Sequence, residues 1–167
     1  MNDKLVIKAA TAADVTTILD FIRALAEYEK LSHEMIATEE ALKSNLFGEH
    51  AFAEVIIGYY QNEAVGFALF FHNFSTFLGK PGIYLEDLFV KPEFRGVGFG
   101  KKLLMHLAQI AKERNCGRLE WSVLDWNAPA IEFYKSLGAA AMNEWTVFRV
   151  TSDALDKLAS GQNDEKS

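Results

Sequence analysis

The amino-acid sequence predicts a single mixed α/β domain. Three observations carry this. Short apolar, β-branched runs alternate with segments of helical period in the order β-α-α-β-β-β-α-β-α-β-β. Half of the 167 residues are hydrophobic and thirteen are Phe, enough for a substantial core. No internal repeat and no linker divides the chain. The domain is expected to span residues 1–159, followed by a polar, disordered tail from Ser160, reading Ser-Gly-Gln-Asn-Asp-Glu-Lys-Ser.

Each element has its own signature. Leu5 to Ala9 is short and apolar, a first strand. Thr11 with Asp14 three residues on resembles a capping box, and Val15, Ile18, Leu19, Ile22 and Leu25 follow at helical spacing. A second helix is expected from about Thr38, with Glu39 and Glu40 favourably placed for its dipole, to about Gly48. Phe52 to Tyr60 and Ala64 to Phe71 form a hairpin about the polar turn Gln61-Asn62-Glu63. A loop, Ser75 to Gly82, leads to a strand from Ile83 to Val90. Lys91-Pro92-Glu93-Phe94 breaks that strand, and a helix from about Gly98 to Arg114 carries Leu103, Leu104, Leu107 and Ala111 on one face. Arg118 to Leu124 is a strand. Asn127 to Leu137 is a helix with Pro129 in its first turn and Gly138 beyond its end. Ala139 to Met142 and Trp145 to Val150 are expected as two last strands.

Composition narrows the function. The formal net charge is −6 and no basic face stands out, which argues against a nucleic-acid partner and suits a cationic one. The lone Cys116 excludes an intramolecular disulfide and reads as a structural thiol. His33, His50, His72 and His106 lack metal-ligand spacing, so no metal is implied. No long apolar run reads as a signal peptide or membrane span; no membrane partner and a cytoplasmic location are the expectations.

The sharpest local feature is Arg95-Gly96-Val97-Gly98-Phe99-Gly100, between a strand and a helix. Glycines let the backbone turn tightly and aim several N–H groups at one point. The helix N-terminus adds partial positive charge, and Arg95, Lys101 and Lys102 add more, so the segment suits a phosphate or pyrophosphate. A plain tight loop explains the glycines equally well. The spacing is neither that of a Walker loop nor that of a dinucleotide fingerprint.

This turn, placed after an apolar strand, resembles the acyl-CoA pyrophosphate turn of the GNAT superfamily of N-acetyltransferases. The closer resemblance is to the diamine (spermidine/spermine) acetyltransferases. It rests on Ala9 to Asp14, on Phe47-Gly48-Glu49-His50, on Tyr84-Leu85-Glu86-Asp87-Leu88-Phe89-Val90 running into Arg95-Gly96, and on Asp125 to Tyr134. Phe74-Ser75-Thr76-Phe77 and Leu124-Asp125-Trp126-Asn127 look more like the branch that acetylates thialysine.

The resemblance implies a mostly antiparallel mixed sheet, flanked by helices and splayed near the acyl-CoA site, with acetyl-CoA as co-substrate, a small cationic amine as acceptor, and a homodimer. It implies a bulge at Glu86-Asp87, where regular alternation would send the two carboxylates to opposite faces. Glu86 would then take the amine proton through water, and Asp87, with Tyr28 and Glu29, would hold the amine. Tyr134 is the implied general acid; its phenol matches the basicity of a leaving thiolate. The backbone of Leu88, Phe89 and Val90 would pair with pantetheine. Arg95, Gly96, Val97, Gly98, Phe99, Gly100 and Lys101 would take the pyrophosphate, and Asn127 with Tyr134 the pantetheine arm.

Without the resemblance, Tyr134 reads as part of the apolar stripe Ala130, Phe133, Tyr134, Leu137, Glu86-Asp87 as solvated carboxylates, and Tyr28-Glu29 as an amphipathic helix end. Two departures from the family stand out. Asn73 to Gly82 contains no acid and carries Lys80, which favours a shorter aminoalkyl acceptor over a long polycation. The turn after Met142, Asn143-Glu144-Trp145, is shorter than the family's, in its dimer region. The alternatives are a peptide N-acetyltransferase and a CoA-binding module without turnover.

Overall fold

The computed structural model describes residues 4–161. A five-stranded sheet runs in chain order: β1 (Val6–Ala9), β2 (Glu54–Tyr60), β3 (Glu63–Ser75), β4 (Lys80–Val90) and β5 (Leu119–Trp121). The first three pairings are antiparallel and β4–β5 is parallel, so the sheet is mixed and mostly antiparallel, as expected. Gln61 and Asn62 both adopt left-handed φ (49° and 64°), the conformation that closes a two-residue hairpin with the strand twist. The parallel β5 needs a crossover, and α3 (Phe99–Glu113) provides it.

Helices cover both faces. On one side, Ile18 and Phe21 of α1 (Val15–Tyr28) pack on Val55, Ile57, Phe67 and Phe89, with Phe21 and Phe67 stacked at 5.2 Å between centroids. The short α2 (Glu39–Phe47), capped by Thr38, adds Leu46 to that cluster. The other face belongs to α3: a Cβ on Gly66 would meet Val90 and Leu103, and the Arg114 guanidinium beyond the helix end lies over Phe70. Arg114 also grips Glu54 bidentately at 2.6 and 2.8 Å, fixing the end of α3 to the start of β2.

Strand pairing defines which β4 residues face which helix. Phe70 pairs with Leu85, whereas its neighbour Leu69 pairs with Asp87, so Glu86 is an extra residue in β4. This is a β-bulge. Phe70, and therefore Leu85, faces α3; Asp87 and Phe89 face α1. The extra residue consequently puts Glu86 and Asp87 on one face, the α1 face. Beyond Leu85 the sheet also opens. β5 pairs only with Ile83, Tyr84 and Leu85, and among the described residues no strand lines the outer edge of β4 from Glu86 to Val90.

The chain divides into Met1–Leu124, which holds all of the above, and Asp125–Ser167. The second unit contains α4 (Ala128–Ser136) and α5 (Ser152–Ala159). Here the structure corrects the sequence reading: neither Ala139 to Met142 nor Trp145 to Val150 is a strand. The alternation Val147-Phe148-Arg149-Val150 has strand propensity, but a strand exists only with a ladder partner, and this segment pairs with none of the described strands. Helix α5 was not expected. Its signals were present, with Thr151 at the N-cap, Asp153 in the first turn and Lys157 in the last. The expected tail from Ser160 lies, from residue 162 on, outside the described residues. No helix of the described residues is long and apolar enough to cross a membrane.

Candidate active site

Three carboxylates gather at the bulge. Glu29 caps the C-terminal end of α1, on the face to which the bulge brings Glu86 and Asp87. Burial, then the charges of Glu86 and Glu29, push the Asp87 carboxyl up to about 7. Burial and Glu86 also raise the Glu29 carboxyl above its ordinary value. Both half-buried acids resist ionisation because burial and the neighbouring carboxylates disfavour their charged forms. Such an arrangement is what a protonated amine would relieve.

This cluster carries a cost in stability that depends on pH. Between its ordinary value near 3.8 and its folded value of about 7, Asp87 binds more proton in the folded than in the unfolded state, so stability falls as pH rises through that window. Asp87→Asn is therefore expected to raise the melting temperature at pH 8, by an amount equivalent to ~1–3 kcal/mol after solvent screening. The gain should shrink steadily towards pH 4. An equal gain at both pH values would contradict the folded-state position of this carboxyl.

The glycine turn follows β4. Gly96 and Gly98 hold φ of 82° and 87°, a region that disfavours any residue with a Cβ, and nothing lies within 4 Å of where a Cβ would stand. Gly98 is the N-cap of α3 and no side chain caps the helix, so the N–H groups of Phe99, Gly100 and Lys101 have no intrahelical partner. Val97 is exposed, and Lys101 and Lys102 stand in the first turn without an acid beside them. Tyr60 braces the segment from beneath, its ring 6.1 Å from Phe94 and 5.3 Å from Phe99. The result is an open anion-accepting nest.

Arg95 begins this turn, but its side chain turns away from α3. Its Nε donates to the Val90 carbonyl at 2.8 Å, and its guanidinium lies over Tyr28 (4.9 Å) and Phe89 (5.2 Å), on the α1 face. In the second unit, Asn127 is buried and caps α4, its Oδ1 accepting from the Ala130 N–H at 3.4 Å. Tyr134 is half-buried in that helix, its ring 5.6 Å from that of Phe133. Leu88, Phe89 and Val90 lie on the open edge of β4. Sequence reasoning named all of these positions. It missed the direction taken by Arg95, which no residue pattern signals. Among the described residues, no group of three or more His, Cys, Asp or Glu is placed to hold a metal ion.

Residues 17–139 match the Acetyltransferase (GNAT) family. The chain belongs to this family. It is therefore an acyltransferase, and the match runs through the bulged strand, the glycine turn and α4 alike. Among its relatives, the thialysine N-ε-acetyltransferase of Bos taurus is 41% identical over 92% of this chain and 96% of its own length. The L-ornithine N5-acetyltransferase NATA1 of Arabidopsis thaliana is 34% identical over 91% of this chain and 86% of its own. Of solved structures, an integron cassette protein from the mobile metagenome of V. cholerae superimposes with a TM-score of 0.78 at 32% identity, covering 93% of this chain and 97% of that one. The resemblance read from the sequence, down to the thialysine branch, agrees with these relatives.

Proposed function

We propose that this GNAT protein transfers the acetyl group of acetyl-CoA to a primary amine of a small aminoalkyl molecule: a diamine, a polyamine or a thialysine-like amino acid. The observation that carries the reading is the bulge, which joins Glu86 and Asp87 to Glu29 on one face where the edge of β4 opens. The open edge supports the expectation that Leu88, Phe89 and Val90 pair with the pantetheine amides. The uncapped α3 start supports the expectation that the backbone from Gly96 to Lys101 takes the pyrophosphate. Asn127 would steady the pantetheine arm.

In this reading the ammonium is held by Asp87 and Glu29, with Tyr28 beside them. Glu86 accepts one proton through a bridging water. The neutral nitrogen attacks the thioester carbon, the C–S bond breaks as the C–N bond forms, and the Tyr134 hydroxyl protonates the departing thiolate. The second proton shed by the nitrogen after attack passes to water, which reprotonates Tyr134, and Glu86 releases its proton to solvent. No covalent enzyme intermediate is needed. The relatives named above act, by their names, on thialysine and L-ornithine, both short amino acids ending in an amine. The acid-free end of the β3–β4 hairpin, where Asn73 to Ser75 pair with Lys80 to Gly82 around a four-residue turn, fits such acceptors better than a long polycation. The whole of residues 1–159 serves one acetyltransferase domain, acting in the cytoplasm as a homodimer. The dimer is supported by Trp145, Val147 and Phe148, which are 74%, 83% and 89% exposed.

The test is CoA release from acetyl-CoA with spermidine, putrescine, ornithine, thialysine, lysine and a Lys-containing peptide. Turnover with a free small amine is the expected result. Turnover with the peptide alone would replace this reading by a peptide acetyltransferase. Acetyl-CoA binding with no release for any acceptor would leave a binding module.

A further inference from the structure

We infer that the rings of Phe71 and Tyr84 form a floor for the carbon chain of the acceptor, and that this floor sets the preference for acceptor length. The inference rests on the acetyl-transfer reading above and names a specificity determinant within it.

The register of the sheet puts both rings on the face of the bulge carboxylates. Phe70 and Leu85 pair with each other on the α3 face, where they are buried. Their neighbours Phe71 and Tyr84 also pair, and therefore point the other way, to the face that carries Glu86 and Asp87. Among the described residues, the core cluster beneath α1 takes in Leu69 and Phe89 but not this pair, and both rings stay half-buried. Tyr84 stands one strand repeat before Glu86, about 7 Å along β4.

Two contacts hold the Tyr84 ring down. On the β3 side its centroid lies 5.3 Å from that of Phe71, with 32° between the ring planes. On the β5 side its hydroxyl meets Ser122 Oγ, just past Trp121, at 2.7 Å. A ring fastened to a neighbour on each side lies across the sheet rather than standing out from it. Its π face is thus turned to the space beside the carboxylates. Such a face suits the methylenes of an alkylammonium. It takes them out of water, and its quadrupole favours the partial positive charge they share with the nitrogen.

The floor also has an end. The next pair on the same face is Asn73 with Gly82, and Asn73 Nδ2 donates to Glu120 Oε1 at 3.1 Å. Arg118 neutralises that carboxylate at 2.7 Å. One ring pair therefore separates the bulge carboxylates from a polar group without net charge. A short chain with its reacting ammonium at the acidic end matches this pattern. A polycation would carry its next charge onto neutral ground.

The experiment measures kcat/KM for diaminopropane, putrescine and cadaverine, and in parallel for diaminobutyrate, ornithine and lysine. It compares the wild-type protein with Tyr84→Ala, Phe71→Ala, Tyr84→Phe and Ser122→Ala. In the series that the wild-type protein turns over, each added methylene should raise kcat/KM by about threefold, somewhat less than the full burial of one CH₂ would give. Tyr84→Ala and Phe71→Ala should each at least halve that increment and raise the KM for the amine, with the KM for acetyl-CoA held within about twofold. A packing defect would lower all acceptors in proportion, so an unchanged increment in both variants would overturn the inference. A wild-type protein indifferent to chain length would overturn it too. A raised KM for acetyl-CoA with an unchanged increment would assign the rings to the co-substrate instead.

Tyr84→Phe and Ser122→Ala keep the ring in place and decide the matter should the alanine variants fail to fold. Each removes the same hydrogen bond, so each should lower the increment in part and to a similar degree. The doubly substituted protein should be no worse than either. Effects that multiply, or no effect in either, would overturn the pinned floor. Wild-type turnover with increments that no variant changes sinks this inference alone. No wild-type turnover of any amine sinks the acetyl-transfer reading and this one with it.

Discussion

Replacing Tyr134 by Phe is expected to slow acetyl transfer by about 10²- to 10⁴-fold, the range spanned by a positioned proton donor. The substitution removes one oxygen and keeps the ring that lies against Phe133 in α4, so the helix should be undisturbed. In the proposed mechanism the hydroxyl serves transfer rather than ground-state binding, so the dissociation constant for acetyl-CoA should stay within about threefold. Single-turnover rates and equilibrium binding, measured on the same preparation, separate the two effects. A variant with the wild-type rate would remove Tyr134 from the mechanism, and a variant that loses binding and rate in proportion would make it a cofactor contact only.

Glu86→Gln carries the second large effect. In the proposed mechanism Glu86 takes the amine proton through water, so its replacement should lower kcat/KM by ~10²- to 10³-fold. Its neighbour should behave differently. In the proposed mechanism Asp87 holds the ammonium rather than a reacting proton, so Asp87→Asn should chiefly raise the KM for the amine. The pH dependence distinguishes them further. With Asp87 pushed up to about 7, the cation-binding form of the trio accumulates as pH rises through neutrality, so kcat/KM for the amine should climb across that range. The apparent midpoint is shared by Asp87 and Glu29, since Glu29 is among the charges that raise Asp87 and both feel the charge of Glu86. Asp87→Asn should flatten that limb while retaining measurable turnover. A profile with the same limb in both variants would detach it from this cluster.

Much of the fold and site was legible in the sequence, for reasons that differ by element. The amphipathic period of α1, the turn residues Gln61-Asn62 and the strand break at Lys91-Pro92 are local signals, and local physics decided them. Glu86-Asp87 stood out because two acids interrupt an apolar strand, but the residues alone did not say that both share a face. That depends on the register with Leu69 and Phe70, a non-local property. The last segment failed in the opposite way. Val147 to Val150 alternates as a strand does, yet no partner strand pairs with it among the described residues. Arg95 was grouped with the glycines beside it because sequence proximity is all that a motif records. Its actual surroundings come from Tyr28, 67 positions earlier, and from the far side of β4.

The bulge has a consequence for how this protein tolerates change. The site depends on the number of residues in β4 as much as on their identity. Leu85 could become Ile or Val with the sheet intact, but deleting any one residue between Leu85 and Leu88 would restore regular pairing and leave room for a single carboxylate on the α1 face. Descendants of this chain should therefore vary in β4 by substitution and almost never by length. A one-residue gap there would mark a protein that has kept the scaffold and lost the paired carboxylates.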